Sequence, residues 1–378
     1  MKKEHKIAIV GAGGIGQAVA LILAELSEVS PIIYLGDAYE SSAHNAVEWV
    51  KKGLTKDCSI DAFSMPFEGI NKAMHTVFEE CAVVLDCLPG SQAPRIAAYA
   101  KQYGMHYANL TEYVQETNDI IELAKDAETG FILQTGLAPG FINVVANGLY
   151  QDFIKDTGNE QIEYLGMKVG ALTKNASAPH FYGFTWSPIG VATEYIKKAI
   201  VVRDYQTILH PSLAERETII IEGTTYEADL TSGGAADMPQ ALQGRVRHLD
   251  YKTLRYPGHY AWVDSIVDTI EDTDKKIQQL QDKMLSEIPR LEEDVVVMHA
   301  NVIGYDQNKA LISREKVFHI YPMRVGKHTL RAIQSTTAAP LAESCRMLLE
   351  GDLKGVVFQS QIDCKIFAKG PFVSAVYG

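Results

Sequence analysis

Two stretches of this chain hold residue types at spacings that can do chemistry. The first is GAGGIG, residues 11–16, with an aspartate, Asp37, about twenty residues further on. Glycines in this pattern suit a phosphate-binding turn. Gly11 turns tightly, Gly13 lets the backbone approach a pyrophosphate, and Gly16 lets a helix pack closely on a strand. With Gly14 and Ile15 they open an apolar helix whose free N–H groups and dipole face the phosphates. Asp37, followed by Ala38, is placed to accept hydrogen bonds from a ribose 2′-hydroxyl and would repel a 2′-phosphate. His44 aside, the next basic residue is Lys51, so the expected cofactor is NAD, in preference to NADP. The second stretch is DYKTLRYPGHYAW, residues 250–262, which sets Arg255 and His259 on either side of a Pro257-Gly258 pair among aromatic residues. Arginine can clamp a carboxylate, and histidine can exchange a proton near neutral pH. The competing reading is a packed turn, with Arg255 in a structural salt bridge and His259 capping a helix or satisfying a buried carbonyl.

The elements that must position these residues alternate. Residues 6–10 read as a buried strand, the helix follows, and residues 31–37 read as a second strand. Helical patterns cover residues 43–52, 69–81, 93–103 and 111–127, with Thr111 a possible cap. Residues 82–90, 106–109 and 130–136 read as strands. The pattern predicts a Rossmann-type, doubly wound parallel sheet. Ligands bind beyond the carboxyl ends of such strands. That places Asp86, Cys87, Leu88, Pro89, Asn109, Thr111 and Gly136 along the cofactor. Cys87 has a competing reading as a small buried hydrophobe.

From residue 136 the pattern changes. GLAPGF leads into a helix with Pro139 near its first turn. Asn143 lies near that start, where it reaches substrate or sits in a solvated helix end. Residues 162–169, 180–186, 199–203 and 217–221 look β-like, and Glu222-Gly223-Thr224 looks like a hairpin turn. Helical patterns at 260–269 and 274–288 precede strands near 295–305 and 311–321. This half predicts an α+β domain with a mostly antiparallel sheet that could pair subunits. The expected organisation is a dinucleotide-binding domain over 1–138, an α+β substrate and dimerisation domain over 139–328, and a segment over 329–378 that returns to the first.

Composition narrows the function. The chain has 378 residues, 47% hydrophobic and 22% charged, with a net charge of −12. An acidic chain without basic–aromatic clusters is not expected to bind nucleic acid. No apolar run approaches the length needed to span a membrane. The short apolar run before Gly11 is not a secretory segment. Five scattered cysteines fit reduced thiols. A cytoplasmic location is expected, with no metal site.

GAGGIG with Asp37, GLAPGF (136–141), FTWSPIG (184–190), TSGG (231–234) and TLRYPGH (253–259) together resemble the saccharopine dehydrogenase superfamily, nearest to the lysine 6-dehydrogenase type. Saccharopine reductases typically read GLDPG where this chain has Ala138. The resemblance implies an NAD-dependent oxidoreductase acting on a C–N bond of lysine or a lysine-derived amine. Hydride leaves the carbon that bears the amine, which must first be neutral; a free lysine amine titrates near ~10.4. In that chemistry His259 is the expected base and Arg255 the expected carboxylate clamp. The Pro257-Gly258 turn presents His259. Tyr256, Tyr260 and Trp262 wall off water, and Lys252 is a weaker candidate for a site role, with a solvated charge as its competing reading. Thr231, Ser232, Gly233 and Gly234 add hydroxyl and N–H donors, and Trp186 packs over the substrate's methylene chain. The expected partner is a small amino-acid substrate, with the protein a homodimer. Alternatives are reductive condensation of the saccharopine or carboxynorspermidine synthase type, and a non-catalytic NAD-binding regulator.

Overall fold

A computed structural model describes every residue except 2 and 271–274. The expected helix start at residue 274 lies outside the described residues. The chain divides into two compact units. One comprises Met1–Phe141, Met323–Leu330 and Gln334–Gly378, the other Ile142–Pro322 and Arg331–Ile333.

The first unit opens with β1 (Lys6–Val10), α1 (Gly14–Leu26), β2 (Ile32–Asp37) and α2 (Glu40–Gly53). Residues 7–10 of β1 are fully buried, as a strand covered on both faces must be. Helix α2 buries Ala43, Ala46, Val47 and Val50, which recur at the 3.6-residue period along one stripe. Then come β3 (Ile60–Ser64), α3 (Lys72–Glu80), β4 (Val83–Asp86), α4 (Ala93–Tyr103), β5 (His106–Asn109), α5 (Val114–Ala124) and β6 (Gly130–Ile132).

The chain continues with α6 (Phe141–Thr157), β7 (Ile162–Thr173), α7 (Pro188–Ile196), β8 (Ala199–Arg203), β9 (Gln206–His210), β10 (Glu217–Ile221) and β11 (Thr224–Leu230). A short α8 (Met238–Ala241), β12 (Val246–Arg255), α9 (His259–Val267), α10 (Lys276–Glu287), β13 (Asp294–Tyr305) and β14 (Leu311–Ile320) follow. It ends with β15 (Met323–Val325), β16 (His328–Leu330), α11 (Ala332–Glu350), β17 (Gly355–Val357), α12 (Cys364–Ala368) and α13 (Pro371–Tyr377).

In the first unit seven strands pair in the order β17-β6-β5-β4-β1-β2-β3, all parallel. The chain runs outward from β1 through β2 to β3, then returns to β4 on the other side. That reversal sets the carboxyl ends of β1 and β4 side by side as a topological switch point. The second unit is built on a sheet ordered β10-β11-β12-β7-β13-β14, with β8 paired to β12 and β9 to β8. Strands β12 and β7 are parallel and the remaining pairs antiparallel.

Several local expectations are corrected. Strand β6 stops at Ile132, not at 136, because Gln134 takes a left-handed conformation (φ 59°) and donates its N–H to Asn109 Oδ1 at 2.8 Å. Pro139 lies before the helix, not in its first turn. Gly136 and Gly140 fold against one another, and a Cβ on Gly140 would sit 2.1 Å from the Gly136 carbonyl oxygen. Thr111 does not cap α5. Its Oγ1 accepts from Tyr113 N at 3.2 Å, in the turn ahead of the helix. Residues 180–186 form no strand. Instead α7 follows, started by Ser187, whose Oγ accepts from Gly190 N at 3.3 Å, and by Pro188.

Two turns match expectation. At the β10–β11 hairpin Glu222 and Gly223 both take positive φ, the geometry of a tight primed turn. After β12, His259 N donates to Tyr256 O at 3.2 Å while Gly258 takes φ 98°, ψ −18°, as a type II turn requires. A Cβ on Gly258 would stand 2.8 Å from the Phe181 ring, whereas one on Gly223 would meet nothing within 4 Å. Gly223→Ala should therefore lose roughly 1–2 kcal/mol from backbone strain alone. Gly258→Ala should lose measurably more in urea unfolding, and equal losses would show that Phe181 gives way freely.

Candidate functional sites in the two units

The glycine turn of the first unit is built for a ligand on one side and for packing on the other. Gly11 takes φ 96°, and a Cβ there would strike the Cys87 backbone at 2.7 Å. One on Gly16 would lie 1.9 Å from the Gly11 carbonyl oxygen. A Cβ on Gly13 would meet nothing within 4 Å. Gly13 and Gly14 are exposed and Ile15 half-buried. Gly13 is the N-cap of α1 and gives no side-chain cap, so the first N–H groups of the helix face outward. Asp37 Oδ2 accepts from Ala12 N and Oδ1 from Tyr39 N, each at 3.0 Å. These bonds fix the carboxylate over the turn, next to Ala38, with lone pairs left for ribose hydroxyls. The residues present fit a dinucleotide.

Beyond β4 and β5 the side chains turn inward. Asp86 Oδ1 accepts from Leu88 N at 3.0 Å and Oδ2 from the Tyr107 hydroxyl at 2.9 Å. Burial pushes its pKa up to about 6, against the pull of those two donors. Asn109 Nδ2 donates to the Tyr107 oxygen at 3.2 Å. Asp86 and Asn109 thus brace the ends of three strands. What faces outward here is the segment after β4, with Cys87 and Leu88 half-buried and Pro89 exposed. Burial raises the Cys87 thiol pKa, which makes it inert. Thr111 and Gly136 are buried in the loops that follow.

In the second unit β12 ends at Arg255, the turn intervenes, and α9 begins at His259. Both side chains are buried, Arg255 at 1% exposure and His259 at 0%. Arg255 Nε donates to the Tyr195 hydroxyl at 2.7 Å and Nη1 to Leu254 O at 2.9 Å. Its guanidinium lies 4.7 Å from the Tyr182 ring centroid. Among the described residues no carboxylate lies within salt-bridge distance of it, although the charge of the buried Glu194 acts on it from further off, and Nη2 has no hydrogen-bond partner. The salt-bridge alternative is therefore not what the structure contains. His259 Nδ1 donates to His180 O at 2.7 Å, and Nε2 accepts from the Tyr195 hydroxyl at 3.0 Å. Burial, and then the Arg255 charge, lower its pKa to about 3. This is a neutral imidazole with both nitrogens engaged, and it satisfies a buried carbonyl.

The other expected substrate contacts are spent internally. Thr231 Oγ1 bonds Thr253 Oγ1 at 2.7 Å, Ser232 N donates to Glu194 O at 3.0 Å, and Ser232 Oγ to Thr193 O at 3.4 Å. Asn143, fully buried, donates to Gly234 O at 3.0 Å and so pins that loop to α6. Gly233 takes φ 90°, and Gly234 lies flat against the Tyr251 ring. Trp186 is half-buried and packs on Gly190. Lys252 is not a solvated charge. It is 6% exposed, on the opposite face of β12 from Arg255, with Nζ 2.8 Å from Glu215 O and 3.1 Å from Glu217 Oε1. Tyr182, Glu194 and Tyr195 were missed. The Ser-Pro start of α7 is the signal that would have placed the last two on a helix.

Residues 7–133 match the family model of the saccharopine dehydrogenase NADP binding domain, and residues 136–369 that of the saccharopine dehydrogenase C-terminal domain. The chain belongs to the saccharopine dehydrogenase family. It shares the family's oxidoreductase fold and its nicotinamide dinucleotide site. Two solved structures have a similar fold. One is apo saccharopine dehydrogenase (L-Glu forming) from Saccharomyces cerevisiae, with TM-score 0.73 and 13% identity over 99% of this chain and 98% of that one. The other is homospermidine synthase from Legionella pneumophila in complex with NAD, with TM-score 0.72 and 13% identity over 100% of this chain and 90% of that one.

The cradle separates two glycine replacements. Gly16→Ala has no room, so it should lower stability by about 1–3 kcal/mol in thermal or chemical unfolding. Gly13→Ala should leave unfolding unchanged and weaken dinucleotide binding by about tenfold or more, read by calorimetry. Unchanged affinity in Gly13→Ala would remove this turn from the phosphate contact.

Proposed function

We propose that the protein is an NAD-dependent oxidoreductase acting on a C–N bond of lysine or a lysine-derived amine. The observation that carries the reading is Arg255, a buried guanidinium with an unpartnered Nη2 and no carboxylate within salt-bridge distance among the described residues, in a chain of the saccharopine dehydrogenase family. A buried cation is costly without a partner, and an amino acid's carboxylate supplies one. The bound dinucleotide supplies a hydride acceptor. Arg255 receives and orients the substrate, and the surrounding aromatic rings keep water out. His259 was expected as the base, but a group with a pKa near 3 is a weak proton acceptor at neutral pH. On this reading the substrate's ammonium gives its proton to bulk water as it enters, because transfer out of water lowers its pKa.

NAD in preference to NADP rests on Asp37, whose carboxylate would repel a 2′-phosphate. The domain family to which residues 7–133 belong is named for NADP binding, and the Asp37 carboxylate favours NAD within it. Among the described residues no helix is long and apolar enough to cross a membrane, and no three metal-binding side chains cluster. The cytoplasmic location belongs to this proposal, as does a homodimer formed through the second unit's sheet. In support of the dimer, strands of that sheet expose Ile208, Leu209, Ile220 and Leu311. Light scattering should give twice the chain mass, and a monomer at micromolar concentration would refute it.

The decisive assay supplies L-lysine and NAD and follows NADH formation. NADH loss with aldehyde plus amine, and no reaction with lysine alone, would replace oxidation by reductive condensation. Dinucleotide binding with neither reaction would make the protein a regulator. Asp37→Ser should shift the NAD to NADP preference by at least about tenfold towards NADP. An unchanged ratio would remove Asp37 from cofactor choice.

A further inference from the structure

The side chains around Arg255 form a directional chain of hydrogen bonds. Its starting point is the His180 carbonyl, which can only accept, so His259 Nδ1 must carry the proton in the 2.7 Å bond to it. In a neutral imidazole Nε2 is then an acceptor, and the Tyr195 hydroxyl must donate across the 3.0 Å contact. Having donated its only hydrogen, the Tyr195 oxygen is left to accept, and Arg255 Nε–H donates to it at 2.7 Å. Every direction is fixed by its neighbour. Leu254 O takes a hydrogen from Nη1, at 2.9 Å. The guanidinium is thus gripped along one edge, with Tyr182 against its face. Nη2 is left buried and without a partner.

We propose that Tyr195 and His259 are positioning residues that hold the Arg255 guanidinium so that Nη2 receives the carboxylate of an amino-acid ligand. The proposal rests on the substrate class given above, because it assigns a grip to the group that recognises that class. Tyr195 lies on α7, Arg255 ends β12 and His259 begins α9, so three elements that meet only in the folded unit must be in register for the grip to form. Without Tyr195 the Nε–H would compete with Nη2 for any incoming oxygen, and the guanidinium could rotate against the Tyr182 ring. Neither tyrosine nor neutral histidine brings a negative charge. They orient the cation and leave Nη2 for the ligand.

The test uses the full-length protein with NAD present. Binding of L-lysine, of 1,5-diaminopentane (the same chain without its carboxylate) and of glutarate is measured by calorimetry. The variants are Tyr195→Phe, which keeps the ring, His259→Gln, which keeps an acceptor, and Arg255→Lys. Tyr195→Phe should weaken L-lysine and glutarate about tenfold and change 1,5-diaminopentane less than about twofold. Arg255→Lys should lose the same discrimination, and His259→Gln should lose less of it than Tyr195→Phe. Nitrogen NMR should report His259 as the neutral Nδ1–H form, with an Nε2 signal that moves in Tyr195→Phe. Equal loss for all three probes, no loss, or an unmoved His259 signal overturns the proposal. If lysine fails to bind the wild type while glutarate binds and depends on Tyr195, the grip stands and the lysine reading falls. If no carboxylate binds the wild type, the grip falls as well.

Discussion

A cation taken out of water without a carboxylate in direct contact is the constraint from which the second unit is best understood. The guanidinium of Arg255 is almost fully buried, and among the described residues no carboxylate pairs with it. Burial of an unpaired charge opposes folding by several kcal/mol unless hydrogen bonds and polarisable neighbours offset it. Two of its nitrogens donate to oxygens, and the tyrosine rings of residues 182 and 195 lie against it. The aromatic cluster around it, with Tyr182, Phe184, Tyr195 and Tyr260, supplies the remaining enclosure. The fold therefore keeps a buried guanidinium whose Nη2 has no partner and whose carboxylate neighbour, Glu194, acts only from beyond salt-bridge distance.

The first unit meets the opposite demand, because its ligand-facing surface must be backbone. The cradle works by leaving side chains out, and the same glycines that open one side close the other. Gly11 and Gly16 admit strand and helix to contact distances that a methyl group would forbid, while Gly13 stays open. The carboxylate of Asp37 ties β2 to the turn through Ala12 N. Asp86, held by Leu88 N and Tyr107, ties β4 to β5 in the same way. One acidic residue lies at the glycine turn and the other faces inward. The difference lies in exposure, since Asp37 is half-buried and Asp86 nearly sealed.

What was legible in the sequence was local. The glycine turn, the acidic residue after β2, the Pro-Gly turn before His259 and the alternation of strands and helices all depend on neighbours within a few positions. Strand β3 escaped because IDAFS is short and interrupted by an acidic residue. Helix α7 escaped because FTW preceding it looked β-like, although Ser187 and Pro188 announce a helix start. The partners of His259 come from residues 180 and 195, and no spacing rule connects those positions to residue 259. Lys252 shows the same limit. Glu217 on β10 reaches Lys252 on β12 across one intervening strand and Lys168 on β7 across two, so the sheet curls enough to bury both ammonium groups. Curl belongs to the whole sheet and is not written in one strand.

The choice of neutral partners for Arg255 follows from this division. An aspartate in place of Tyr195 would hold the guanidinium at least as firmly, because charge-assisted bonds are the stronger kind. It would also satisfy the cation, and an incoming carboxylate would then compete with a resident one at higher effective concentration. A hydroxyl backed by a neutral imidazole orients without neutralising. The imidazole must in turn stay neutral, since a protonated ring would add a second cation and could no longer accept from Tyr195. Burial and the Arg255 charge both favour the uncharged ring. The feature that makes His259 a weak base is thus the feature that makes it a dependable acceptor.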